Sequence, residues 1–159
     1  LYTVAAFVQN PKYGWDFLKA LKANGIKLVQ GSSDSVTKVG SGEWDVSIAV
    51  DYIAKDAERA GSPVGFVYPA SGASVVASPI AIIKGTKNLE AAKILYDYIL
   101  SLEGQNVLVK ANTIPIRPEI KLEDVSVERL LATALPVDDA RLVAEKDDML
   151  DRFGQLMKK

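Results

Sequence analysis

Apolar residues recur every three or four positions near both ends of the chain and every second position in stretches of its first half. Over residues 1–24, Val4, Phe7 and Val8 fall at helical spacing, Asn10-Pro11 interrupts the pattern, and Trp15, Leu18 and Leu21 resume it until Asn24-Gly25. This predicts two helices, with Pro11 suited to the first turn of the second. The run "IKLVQ" then predicts a short strand, and "SSDSVTKV" a short helix closed by Gly40-Ser41-Gly42. In "WDVSIAV" the residues Trp44, Val46, Ile48 and Val50 alternate with smaller or polar ones, the period of a strand. "DYIAKDAERAG" predicts a helix ending at Gly61, "PVGFVYP" another strand, and "SVVASPIAIIKG" a long extended segment containing Pro79.

After Lys84 the period is helical. Leu89, Ala92, Leu95 and Ile99 share one face behind Asn88 as N-cap, and "LEGQNVLVKAN" predicts a second helix. "TIPIRPEI" is an extended stretch stiffened by two prolines. The tail from Pro136 predicts one long amphipathic helix whose closing Lys158-Lys159 complements the helix dipole. Strands alternating with helices give the expected fold class, α/β with a largely parallel sheet flanked by helices and a helix-rich C-terminal part.

Composition removes several function classes. The 159 residues carry a net charge of −1, so no basic excess is available to neutralise phosphates, and nucleic-acid binding is not expected. No apolar run approaches the ~20 residues that span a bilayer. Without His or Cys there is no Ser-His-Asp triad, no thiolate nucleophile, no disulfide and no imidazole or thiolate metal site. A start at Leu1 without a leader is the start expected of a processed chain or a fragment.

Four polar residues stand where strands give way to helices. Ser32 and Ser33 open one helix after Gly31; serine is a preferred N-cap, and a helix N-terminus also offers N–H groups and partial positive charge to an anion. Asp51 and Tyr52 follow a strand and open the next helix, where ligands of open α/β sheets bind. Asp51 reads equally well as an N-cap, and Tyr52 as an aromatic with its hydroxyl in water. Other motifs lack their companions: "SVTK" at 35–38 has no S-D-N or K-T-G element, and "GSG" at 40–42 ends a helix instead of starting one. These residues leave three classes open: a binder, a small α/β transferase or hydrolase working without His or Cys, and an interaction domain.

The stretches 13–57 ("YGWDFLKALKANGIKLVQGSSDSVTKVGSGEWDVSIAVDYIAKDA") and 60–105, from "AGSPVGFVYPASG" to "LYDYILSLEGQ", together with "TIPIRPEI" and "AEKDDMLDRFGQL", resemble extracytoplasmic substrate-binding proteins of ABC importers. The resemblance is to the ferric-iron-binding and related phosphonate or sugar-phosphate group. It implies a periplasmic-binding-protein-like fold of two α/β lobes with ligand in the cleft between them, of which this chain is the C-terminal half. Residues 1–76 would be part of the second lobe, and 77–159 the crossover strand and helices completing the first. The missing N-terminal half, a membrane permease and a small-molecule or ion ligand are the implied partners. The implied location is periplasmic or extracytoplasmic, and no catalysis is implied. Ser32, Ser33, Asp51 and Tyr52 fall on cleft-facing positions. Tyr52 and Asp51 would be metal ligands if the cargo is ferric ion, with no resident cofactor. The sequence carries Asp51 where ferric binders place the first of two tyrosines, and Ser71 where relatives commonly have an acidic residue. A phosphorylated or phosphonate solute is the alternative cargo. The helix-rich second part also leads us to expect exposed apolar surface and a homodimer built on it.

Overall fold

The structure, a computed structural model, describes residues 1–123 and 125–158. Among them the regular elements are all helical: α1 (Tyr2–Val8), α2 (Gly14–Ala23), α3 (Ser32–Gly40), α4 (Asp51–Arg59), α5 (Leu89–Leu100), α6 (Leu102–Lys110), α7 (Val127–Ala132), α8 (Asp139–Ala144) and α9 (Lys146–Met157).

The expected parallel sheet is therefore corrected. No strand is present among the described residues, although helices α1 to α6 cover the segments marked by the 3.6-residue period. Helix α2 starts at Gly14, so that Pro11 lies in the turn before it and not in its first turn. A strand exists through ladder hydrogen bonds to a neighbour, and alternation alone does not supply one. The alternating runs 44–50 and 63–69 make no ladder, and Val46 and Val67 are each 82% exposed. The same holds for 26–30 and for the stretch around Pro79.

The chain divides into two compact units. The first comprises residues 1–30, 68–76 and 130–159. In it α1 packs on α2 and α2 on α9, around Ala5, Ala6, Leu18, Leu130, Leu135 and Met149. Phe7, Tyr13 and Phe17 form an aromatic cluster with ring centroids 5.0–5.6 Å apart. Arg152 of α9 stacks over Trp15, 4.2 Å from the ring centroid. Gly72 (φ +108°) passes so close to the 133–135 backbone that a Cβ would stand 2.5 Å from the Thr133 carbonyl oxygen. The long tail helix is also corrected: it is two helices that meet at Glu145, whose φ/ψ of −102°/8° ends α8 and begins α9. Lys159, half of the expected dipole-complementing pair, lies outside the described residues.

The second unit comprises 31–67 and 77–129. Here α3 packs on α4 and α5 on α6. Gly104 near the start of α6 lets the α5 backbone approach at Tyr98, where a Cβ would collide with the carbonyl. Ser101 caps α6, accepting from the Gly104 N–H at 3.1 Å. Gln105, buried at 3% exposure, donates to the Ile99 carbonyl (2.8 Å) and accepts from the Ile116 N–H (2.9 Å), tying the end of α5 to the proline-stiffened stretch.

Candidate functional site

The four residues singled out by sequence all lie in the second unit, on the first turns of α3 and α4. Neither serine caps its helix. The N-cap of α3 is Gly31, in extended conformation, and no side-chain cap hydrogen bond closes the helix start. Likewise Val50, not Asp51, is the N-cap of α4, again without a side-chain cap. The expected capping roles are thus corrected: each residue stands inside its helix, too far along to close the end on itself.

Ser32 instead links the two helix starts. Its Oγ accepts the Val50 N–H at 3.3 Å, bringing the N-terminus of α3 against that of α4. The first intrahelical bonds run from Ser35 N–H to the Gly31 carbonyl and from Ala54 N–H to the Val50 carbonyl. The amides of Ser33 and Tyr52, which precede them, lie in the first turn, where N–H groups lack an intrahelical acceptor. Ser35, buried, donates its hydroxyl to the Ser32 carbonyl at 2.9 Å, and Thr37 does the same to Ser33, which fixes the turn from within. Ser33 is exposed, Tyr52 is 46% exposed, and Asp51 is half-buried and engaged with a neighbour.

Electrostatically the two starts are mixed. Partial positive charge at both N-termini favours an anion, while Asp34 and Asp51 each place a carboxylate in the first turn. Such a pair of ends suits a ligand with an anionic group for the amides and hydroxyls for the carboxylates. Among the described residues no three or more His, Cys, Asp or Glu side chains gather as a metal site.

A hollow of about 190 Å³ opens between α3, α4 and the runs 44–50 and 63–69, lined by Val36, Val39, Ala54, Val64 and Phe66 among others. None of the four site residues lines it. At the far end of α3, Lys38 pairs with Glu43 (2.9 Å) and lies over the Trp44 ring; the Glu43 hydrogen bond raises the lysine's pKa above its ordinary value.

Sequence reasoning passed over a polar lock between α4 and the end of α6. Asn112, in the left-handed region at φ +56°, donates to Asp56 (2.7 Å) and accepts from Arg59 (2.6 Å), while Arg59 also reaches the Lys110 carbonyl (3.3 Å). The signal was available in part: Asn just past a helix end is a known left-handed C-terminal residue.

Comparison with known proteins places the chain in a family. Residues 9–142 match the family described as bacterial extracellular solute-binding protein. An uncharacterized protein of Haemophilus influenzae is 31% identical over 111 residues, which are 67% of this chain and 32% of that protein. The chain thus spans about a third of that relative's length. No solved structure matches the chain. No helix is long and apolar enough, among the described residues, to cross a membrane. The family's members are extracellular or periplasmic proteins that bind solutes and are generally not enzymes. With most of its length inside the match, the chain belongs to the bacterial extracellular solute-binding proteins.

Proposed function

We propose that the chain supplies part of the ligand site of an ABC importer's solute-binding protein, and that its cargo is a small phosphorylated or phosphonate molecule. The observation that carries this reading is the 3.3 Å bond from Val50 N–H to Ser32 Oγ, which holds two helix N-termini together. An oxyanion between them meets amides from both first turns, the Ser32 and Ser33 hydroxyls add donors, and Tyr52 and Asp51 bond the organic part. The ferric reading needs oxygen donors in number, and Tyr52 with Asp51 offers two. The division at residue 76 into parts of two lobes, delivery to a membrane permease and completion by a second half belong to the same proposal.

The test is a calorimetric titration with glycerol 3-phosphate and, separately, with ferric citrate. The proposal expects saturable binding of the phosphoester, weakened about ten-fold in Ser33→Ala and in Tyr52→Phe, a loss of about 1.4 kcal/mol each. Binding of ferric ion with a visible tyrosinate band that disappears in Tyr52→Phe would overturn it.

A further inference from the structure

Helix α3 begins without the usual brace. Its N-cap, Gly31, has no side chain to offer, and no side-chain cap bond closes the start. The first intrahelical bond, from the Ser35 N–H to the Gly31 carbonyl, is long at 3.3 Å. Helix ends fray, because the first N–H groups have no intrahelical acceptor. Yet the bond that joins the two helix starts depends on this turn. At 3.3 Å, the Val50 N–H to Ser32 Oγ bond stands at the long edge of the N–H···O range, and a small outward shift of Ser32 breaks it.

Ser35 bears on the same turn from inside. It and Val36 are the buried residues of α3, and Ser35 is 3% exposed. A buried hydroxyl costs free energy unless it is bonded, and this one donates to the Ser32 carbonyl at 2.9 Å. Serines within helices commonly bond to the preceding turn; the consequence here lies in which carbonyl is taken. The Ser32 carbonyl and the Ser32 Cα share one peptide plane, so holding the carbonyl limits how far the Ser32 side chain can swing. Thr37 makes the same kind of bond one residue on, to the Ser33 carbonyl at 2.9 Å, from an exposed position. It holds the next peptide along and serves as an internal comparison.

We propose that Ser35 is a positioning residue for the junction of α3 with α4. By holding the Ser32 carbonyl, it keeps the Ser32 oxygen within reach of the Val50 amide. It acts through Ser32 and not on a ligand. A hydroxyl that accepts from Val50 still has its own proton to donate, so the held Ser32 is presented as a donor to an oxyanion. That last consequence rests on the oxyanion reading; the effect of Ser35 on the junction does not.

The experiment is amide-resolved NMR of the ligand-free chain, reading how fast the Val50 amide proton exchanges with water. Ser32→Ala removes the acceptor itself and sets the scale, an increase of about five-fold. Ser35→Ala removes one oxygen and leaves a better helix former, so the chain folds. The proposal expects it to speed Val50 exchange by a similar factor while Val39, later in α3, exchanges as before. Thr37→Ala is expected to leave Val50 unchanged. Val50 exchange that is normal in Ser35→Ala but fast in Ser32→Ala overturns the role of Ser35 alone. Normal exchange in both serine variants overturns the junction together with that role. Equal acceleration in Thr37→Ala, or acceleration that extends to Val39, marks a helix loosened throughout and also overturns the proposal. Because no ligand is present, a chain that fails to bind glycerol 3-phosphate leaves this result standing.

Discussion

Ser32 and Ser33 are adjacent serines with different work. The Ser32 oxygen holds the Val50 amide, so Ser32→Ala leaves a donor without its acceptor and is expected to cost about 1 kcal/mol in urea unfolding. Ser33 is exposed, and Ser33→Ala is expected to stay within about 0.5 kcal/mol. Equal losses would contradict the assignment. Sequence placed both serines at a helix start but not their roles: a one-residue shift of the N-cap to Gly31 separates a cap from a cross-link, and helix-start patterns do not resolve one residue. Lys38 gives a second residue-scale test. Its pKa is raised in the folded chain by the Glu43 hydrogen bond, so the pair's contribution is present below the unfolded lysine's pKa and lost as pH rises through the folded one. In Glu43→Gln, NMR titration is expected to find the Lys38 pKa nearer its ordinary value; an unchanged pKa would remove the pair from the account.

Individual helices were the most legible elements, because the 3.6-residue period and its stop signals act within a segment. Strands were the least, because "WDVSIAV" and "PVGFVYP" state a period while a ladder needs a neighbour the sequence does not name. The tail was half legible: its helical character was expected, but nothing in "VAEKDD" announces the break at Glu145. Two backbone positions carry predictions at this scale. Gly72 combines φ +108° with a carbonyl where a Cβ would go, so Gly72→Ala is expected to cost about 3 kcal/mol. At Asn112 the left-handed backbone and two side-chain bonds separate cleanly. Asn112→Gly keeps the backbone and loses the bonds, whereas Asn112→Ala loses both, and is expected to be less stable than the glycine variant by about 1 kcal/mol in thermal melts. The reverse order would mean that the backbone conformation at 112 is not held.

At the scale of the molecule, family membership was legible from ordered motifs that span most of the chain, and the structure supplies reasons for some of them. The Gly104-Gln105 pair of "SLEGQ" is a close backbone approach followed by a buried amide that bonds two segments. The sheet implied by the same resemblance is absent from the described residues, since those motifs report local packing and not ladder partners. Ile48 is 63% exposed, and with Val46 and Val67 it leaves apolar surface uncovered. We expect self-association through that surface, read by light scattering as a mass that rises with micromolar concentration; a constant monomer mass would contradict it. The central claim is that the joined starts of α3 and α4 hold an oxyanion-bearing solute. Its most direct measurement is an amide-resolved titration with glycerol 3-phosphate. The account predicts saturable shifts concentrated at Ser32, Ser33, Asp51 and Tyr52 that weaken in Ser32→Ala; shifts absent from all four amides would contradict it.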